Sequence, residues 1–268
     1  MTVMLTIYNK IANQIFANLI LVLIGITLSA CVTDTSLNGS SKDRPVSDRA
    51  MIHAKLAQGY LKQKQYAVAK QELDRALDID PNHSESNYVM ALLMLELQQY
   101  DKTEESFMRA VKSDNTNSEA AHDFGTYLCQ TGRERESVKY FDIAAANPLF
   151  RQSHLSYMRA GECLSRINDA EAEAYLQRAL TVNSQLGPAL YRLAKLKHDA
   201  QEYLSARAYV QRYMAINKPQ PESLLLAYKI ESNLNATDFA NEYRKQLLED
   251  FPGSKEAREL RDELSRTR

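Results

Sequence analysis

Residues 118–150 read SEAAHDFGTYLCQTGRERESVKYFDIAAANPLF, and this stretch decides the fold. The pattern predicts one helix, a break at Thr131-Gly132, a second helix, and a stop at Asn147-Pro148. Gly permits the left-handed backbone that ends a helix, and the residue before a proline leaves helical angles. Gly125 lets the two helices approach closely, and Phe141 supplies a large apolar side chain from the second helix. The stretch is therefore a predicted helix–turn–helix unit.

The same unit recurs along the chain at a spacing of 34 residues, which varies by at most two in the later units. Small residues recur in the first helix at Ala57, Ala91, Gly125, Gly161, Ala194 and Ala227. Large apolar residues recur in the second helix at Leu73, Phe107, Phe141, Leu176, Val210 and Tyr243. A helix–turn–helix period of 34 residues is typical of tetratricopeptide repeats. We therefore predict an all-α fold, a tetratricopeptide-repeat superhelix of about six repeats with a C-terminal capping helix.

Residues 1–30 are predicted to be a lipoprotein signal peptide. An apolar run from about Phe16 to Leu28 is followed by small residues and Cys31, as in a bacterial lipobox. In that interpretation the thiol of Cys31 takes the lipid and becomes the first residue of the mature protein. The alternative is a simple N-terminal anchor helix with an incidental cysteine. The start codon is either Met1 or Met4.

The rest of the chain divides into three predicted parts. Residues 31–49 hold the lipidated cysteine and a polar, aperiodic flexible tether. Residues 50–252 form the six tetratricopeptide repeats. Residues 253–268 form a strongly charged helix with few apolar positions, and a solenoid needs such a polar cap over its last apolar face.

Composition and motifs argue against an enzyme. The chain has 33 Lys and Arg against 34 Asp and Glu, so no basic excess points to nucleic acid. The five His residues lie far apart without metal-ligand spacing, and isolated glycines cannot form a phosphate-binding loop. We therefore predict no catalytic residues, no cofactor, no metal, no nucleic-acid partner and no small-molecule substrate.

Cys129 and Cys163 are the two cysteines that remain if Cys31 carries lipid. They lie 34 residues apart, near the ends of first helices in neighbouring repeats. Such helices stack side by side in a solenoid, and an exported chain meets an oxidising compartment, so a disulfide is predicted. The alternative is two buried free thiols that pack as small apolar side chains.

A partner-binding groove is predicted on the first helices, on the side away from the second helices. The candidate residues are Tyr88, Leu92, Leu95, His122, Met158 and Tyr191. Apolar side chains without a second helix to cover them are typical of a peptide-binding surface. The alternative is that the two leucines pack against the adjacent repeat as core.

The central segment resembles one family of repeat proteins. The resemblance rests on the runs at 121–125, 128–129, 132–133, 147–150 and 161–163, together with Phe141. These look like the PilF/PilW family of type IV pilus biogenesis lipoproteins. The predicted lipobox and the six-repeat layout extend the similarity over the whole chain.

The resemblance implies an outer-membrane lipoprotein, lipid-anchored at the periplasmic face. Such a protein acts as a pilotin-like scaffold that promotes localisation and multimerisation of the type IV pilus secretin, for pilus biogenesis and twitching motility. Val32 follows Cys31 where an Asp would indicate retention in the inner membrane. The alternative is a periplasmic tetratricopeptide adaptor that recruits cell-envelope or peptidoglycan enzymes.

Overall fold

The computed structural model describes residues 45–266, and these form thirteen helices without a strand. The helices are α1 Val46–Lys62, α2 Tyr66–Ile79, α3 Ser84–Glu96, α4 Tyr100–Ser113, α5 Ser118–Gln130, α6 Glu134–Ala146, α7 Ser153–Arg166, α8 Ala172–Val182, α9 Gly187–Asp199, α10 Tyr203–Ile216, α11 Pro221–Asn233, α12 Thr237–Asp250 and α13 Lys255–Arg266. The all-α prediction is confirmed. The predicted signal peptide, Cys31 and most of the predicted tether lie outside the described residues.

The first twelve helices pack as six consecutive pairs, from α1 with α2 to α11 with α12. The second helix of each pair also packs against the first helix of the next pair. Each apolar face is therefore covered by the neighbouring repeat, which is how a solenoid builds a core from units too small to fold alone.

The turn inside each repeat uses one residue in the left-handed region. These residues are Lys64, Gln98, Gly132, Asn168, Gln201 and Asn235. Gly132 is the residue that the sequence pattern identified, with φ of +82°. Asn168 and Asn235 are asparagine, which tolerates this region, whereas the unfavourable conformation of Lys64, Gln98 and Gln201 is imposed by the helices on either side.

Close helix pairing within repeats requires glycine at two positions. A Cβ on Gly125 would lie 3.0 Å from the ring of Phe141, and one on Gly161 would lie 2.7 Å from Cγ of Leu176. Phe141 and Leu176 are fully buried. The predicted match between a small residue on the first helix and a large one on the second is therefore confirmed in the third and fourth repeats.

The core continues from one repeat to the next through stacked aromatic rings. Phe107 of α4 and Phe124 of α5 are fully buried, with ring centroids 5.4 Å apart. Tyr127 lies 6.0 Å from the ring of Phe107 and completes this contact between the second and third repeats. Aromatic pairs of this geometry stabilise by about 0.5–1.5 kcal/mol beyond their buried area.

The ends of the solenoid differ from each other. Helix α1 begins at Val46, earlier than the predicted repeat boundary at residue 50, because Pro45 has the backbone angles of a helix N-cap residue and Asp48 favours the first turn. At the other end, α13 buries Ala257 and Leu260 against α11 and α12. The remaining positions of α13 are mostly charged and exposed, as a cap requires.

Candidate functional site

The first helices of successive repeats lie next to each other and form a surface that we call the first-helix wall (α1, α3, α5, α7, α9 and α11). Tyr88 of α3 donates its hydroxyl to Oδ2 of Asp123 on α5, over 2.7 Å. One helix further on, Nδ1 of His122 lies 2.8 Å from Oγ of Ser156 on α7. Side-chain hydrogen bonds therefore join the repeats along this wall.

Ion pairs join the later helices of the wall. Glu162 of α7 accepts from Arg192 of α9 and, over 3.0 Å, from Arg159 of its own helix. Lys229 of α11 donates to Glu259 of the cap helix α13 over 2.6 Å. Partly exposed pairs of this kind contribute about 0–1 kcal/mol each, so they set the relative position of the helices more than they stabilise them.

A disulfide joins Cys129 of α5 to Cys163 of α7, with Cα atoms 5.9 Å apart. This confirms the predicted pairing, and both residues are buried among Phe141, Ala160 and Leu164. The bridge ties the third repeat to the fourth along the first-helix wall. It does so on the same two helices as the bond between His122 and Ser156.

Tyr88, the first predicted groove residue, is largely buried, with 9% of its surface exposed. Its ring lies 6.4 Å from that of Phe107. Burial and the carboxylate of Asp123 raise the pKa of the Tyr88 hydroxyl, so it stays protonated as a hydrogen-bond donor. Tyr88 therefore links the second repeat to the third through its hydrogen bond to Asp123.

His122 is half-buried at the junction of the third and fourth repeats. Its ring meets Phe141 edge to face at 5.6 Å and lies 6.2 Å from Phe150. Burial lowers the pKa of His122 below its ordinary value of 6.5, because the charged form is poorly solvated there. The neutral imidazole is thus the form that this junction favours.

The other four predicted groove residues also take part in packing. Leu92 and Leu95 are half-buried against the core of the first three repeats, as the alternative interpretation had it. Met158 is buried in the core of the fourth and fifth repeats, and half-buried Tyr191 lies 5.6 Å from the ring of Tyr213. The six residues are spread along the wall and do not form an exposed apolar strip. Partner binding through them stays a prediction.

A second feature of the wall was missed from the sequence. Helices α9, α11 and α13 enclose an open concavity that includes Tyr191, Leu225, Glu222 and Glu256. These residues belong to one helix from each of the last two repeats and to the cap helix. They do not form a motif in the sequence. Only the stacking of the helices brings them together.

Within residues 45–266, no helix has the length and apolar character that crossing a membrane requires. In the same range, no group of three or more His, Cys, Asp or Glu side chains is arranged to hold a metal ion.

Comparison with known proteins identifies the repeat and the family. The tetratricopeptide repeat family model matches residues 60–124. The type IV pilus assembly protein PilF of Pseudomonas aeruginosa is 25% identical over 242 residues, which cover 90% of this chain and 96% of PilF. A solved structure of Pseudomonas aeruginosa PilF matches with a TM-score of 0.66 and 24% identity, over 82% of this chain and 100% of that chain.

The crystal structure of PilW, a type IV pilus biogenesis factor, has a TM-score of 0.62 and 31% identity to this chain. The match covers 79% of this chain and 97% of PilW. On these grounds the chain belongs to the PilF/PilW family of tetratricopeptide-repeat proteins of type IV pilus biogenesis.

Proposed function

We propose that this protein is a lipid-anchored, pilotin-like assembly factor at the periplasmic face of the outer membrane. In this proposal its first-helix wall holds a segment of the type IV pilus secretin and so promotes secretin localisation and multimerisation. The similarity to PilF and PilW over most of the chain is the observation that carries the proposal. A non-enzymatic scaffold also fits a fold made of stacked repeats.

The geometry of the wall supports a scaffold. Successive first helices are joined by the bond from Tyr88 to Asp123, by the disulfide, and by the pair of Glu162 with Arg192. Repeats that are fixed relative to each other lose little conformational entropy when a partner binds along them. A preorganised wall is thus suited to hold an extended or helical segment of another protein.

The anchor is tested by mass spectrometry of the protein purified from its own host. We expect an N-terminal peptide that begins at Cys31 and carries lipid, since several buried acyl chains are needed for stable anchoring. The Cys31→Ser variant should fold but be absent from the outer-membrane fraction. An unmodified N-terminus at Met1 or Met4 would contradict the anchor.

The scaffold role is tested by the fraction of secretin that runs as heat-resistant multimers in the outer membrane. We expect multimers to fall in a deletion strain and to return with the wild-type gene. Leu92→Glu places a charge on half-buried wall surface and should restore fewer multimers. Leu204→Glu is the matched control, because Leu204 of α10 is 71% exposed and lies off the wall.

Each variant is first checked for a cooperative thermal transition and for normal abundance. If Leu92→Glu does not fold, the smaller change Leu92→Ala takes its place. Normal multimers in the deletion strain would refute the secretin role, and altered cell-wall composition would then favour the envelope adaptor. Full rescue by a folded Leu92 variant would leave the role intact and exclude this part of the wall.

A further inference from the structure

The concavity between the last two repeats and the cap has an apolar floor. It has a volume of about 280 Å³ and is open to solvent. Tyr191 of α9 is half-buried, and Leu225 and Leu226 of α11 each retain 7% of their surface. These side chains leave a small apolar and aromatic area within a largely charged surface.

The rim of the concavity carries charges, of which several are already paired. Lys229 pairs with Glu259, and His198 lies 3.2 Å from Asp199. Glu222 and Glu256, from α11 and α13, have no ion-pair partner within residues 45–266. These two carboxylates lie on separate helices and line the same concavity as the Tyr191 ring.

The carboxylates of Glu222 and Glu256 influence the pKa of the Tyr191 hydroxyl. Burial first, and then the charges of Glu222 and Glu256, raise the pKa of the Tyr191 hydroxyl, against the opposing charge of Arg192. Both carboxylates line the same concavity as the ring. Lys195 also lines the concavity and has no ion-pair partner within residues 45–266.

We propose that this concavity binds a single Lys or Arg side chain of a partner protein, with that residue's apolar neighbours resting on Leu225 and Leu226. A cation over an aromatic face is stabilised by the ring, and charge-assisted hydrogen bonds to carboxylates strengthen the contact. The ammonium of Lys195 repels additional basic residues of the partner segment. The concavity therefore favours a segment in which one Lys or Arg lies between apolar side chains. This second surface is independent of the groove residues in the first repeats and of the identity of the secretin segment.

Fluorescence anisotropy of the full chain in detergent tests the proposal. The probe is a labelled, end-blocked pentapeptide with one lysine between two leucines, and a second peptide has glutamate in place of the lysine. We expect only the lysine peptide to bind, and more weakly as salt rises, because partly exposed charges are screened. The double variant Glu222→Gln and Glu256→Gln should weaken binding by about tenfold or more, or about 1.4 kcal/mol.

The matched control is the double variant Glu242→Gln and Glu249→Gln, which removes two exposed carboxylates from α12 outside the concavity. It should bind the lysine peptide like the wild type. Equal binding of the glutamate peptide, no binding of either peptide, or an unchanged affinity in the Glu222 and Glu256 variant would each overturn the proposal. A dimer that this variant dissociates would also overturn it, since a second copy would then be the occupant.

Discussion

One substitution, Gly to Ala, should have opposite effects at two helical positions of this protein. Gly59 lies inside α1, and no atom is within 4 Å of the place where a Cβ would be. Gly161 lies inside α7, where that Cβ would meet Cγ of Leu176 at 2.7 Å and the carbonyl oxygen of Ala172 at 2.9 Å. Local helix preference is the same at both sites, so the difference measures the closeness of helix packing.

The magnitudes follow from two opposing effects. Ala is favoured over Gly in a helix interior by about 1 kcal/mol, and at Gly59, in the last turn of α1, no packing contact opposes this gain. Carbon atoms in contact are normally about 3.5–4.0 Å apart, so a Cβ at Gly161 must displace α8, including its backbone. Overpacking of this kind costs about 1–3 kcal/mol, and the carbonyl contact places Gly161→Ala at the upper end. We expect Gly59→Ala to stabilise by about 0.5–1 kcal/mol and Gly161→Ala to destabilise by about 1–2 kcal/mol.

Urea unfolding followed by circular dichroism measures both variants against the wild type at one pH and with the disulfide intact. Gly125→Ala provides an intermediate case, because its Cβ would lie 3.0 Å from the ring of Phe141 and 3.1 Å from the carbonyl oxygen of Ser137, contacts that are less close than those at Gly161. The expected order of stability is Gly59→Ala, wild type, Gly125→Ala, Gly161→Ala. A Gly161→Ala protein as stable as the wild type would refute the close approach of α7 and α8.

Two further predictions concern the junction of the third and fourth repeats. Cys163→Ser should lower the free energy of unfolding by about 3–4 kcal/mol, because the bridge closes a loop between residues 34 apart in the sequence. Urea unfolding of the wild type with reductant should show the same loss, and an unchanged urea midpoint would contradict the prediction. Burial lowers the pKa of His122 in the folded state, so the unfolded chain binds more protons below pH 6.5. Stability should therefore be full above that pH and fall as the pH drops towards 5. His122→Asn should fall less steeply in the same urea titrations, and an equal slope would exclude His122 as a cause.

The repeat pattern predicted most of the architecture. The 34-residue recurrence of small and large residues identified six helix pairs, and the charged C-terminal stretch identified the cap helix. It also placed Cys129 and Cys163 near the ends of first helices in neighbouring repeats, and such helices stack side by side in a solenoid, so a disulfide was one of the two predicted outcomes. The left-handed turn residues escaped prediction apart from Gly132, since Lys64 or Gln98 adopts that conformation only when packed helices impose it.

By itself, the sequence determined the fold class and the number of repeats, because both follow from periodicity along the chain. It placed Cys129 and Cys163 in neighbouring first helices but left free thiols as an alternative, and the structure shows the bridge. The tertiary structure alone decided the fate of individual wall residues. The sequence pattern is compatible with a Tyr88 side chain that faces a partner. In the structure its hydroxyl donates a hydrogen bond to Asp123 of the neighbouring first helix, so Tyr88 connects two repeats. Glu222 and Glu256 likewise line one concavity only because α13 packs against α11, and this contact cannot be read from the repeat pattern.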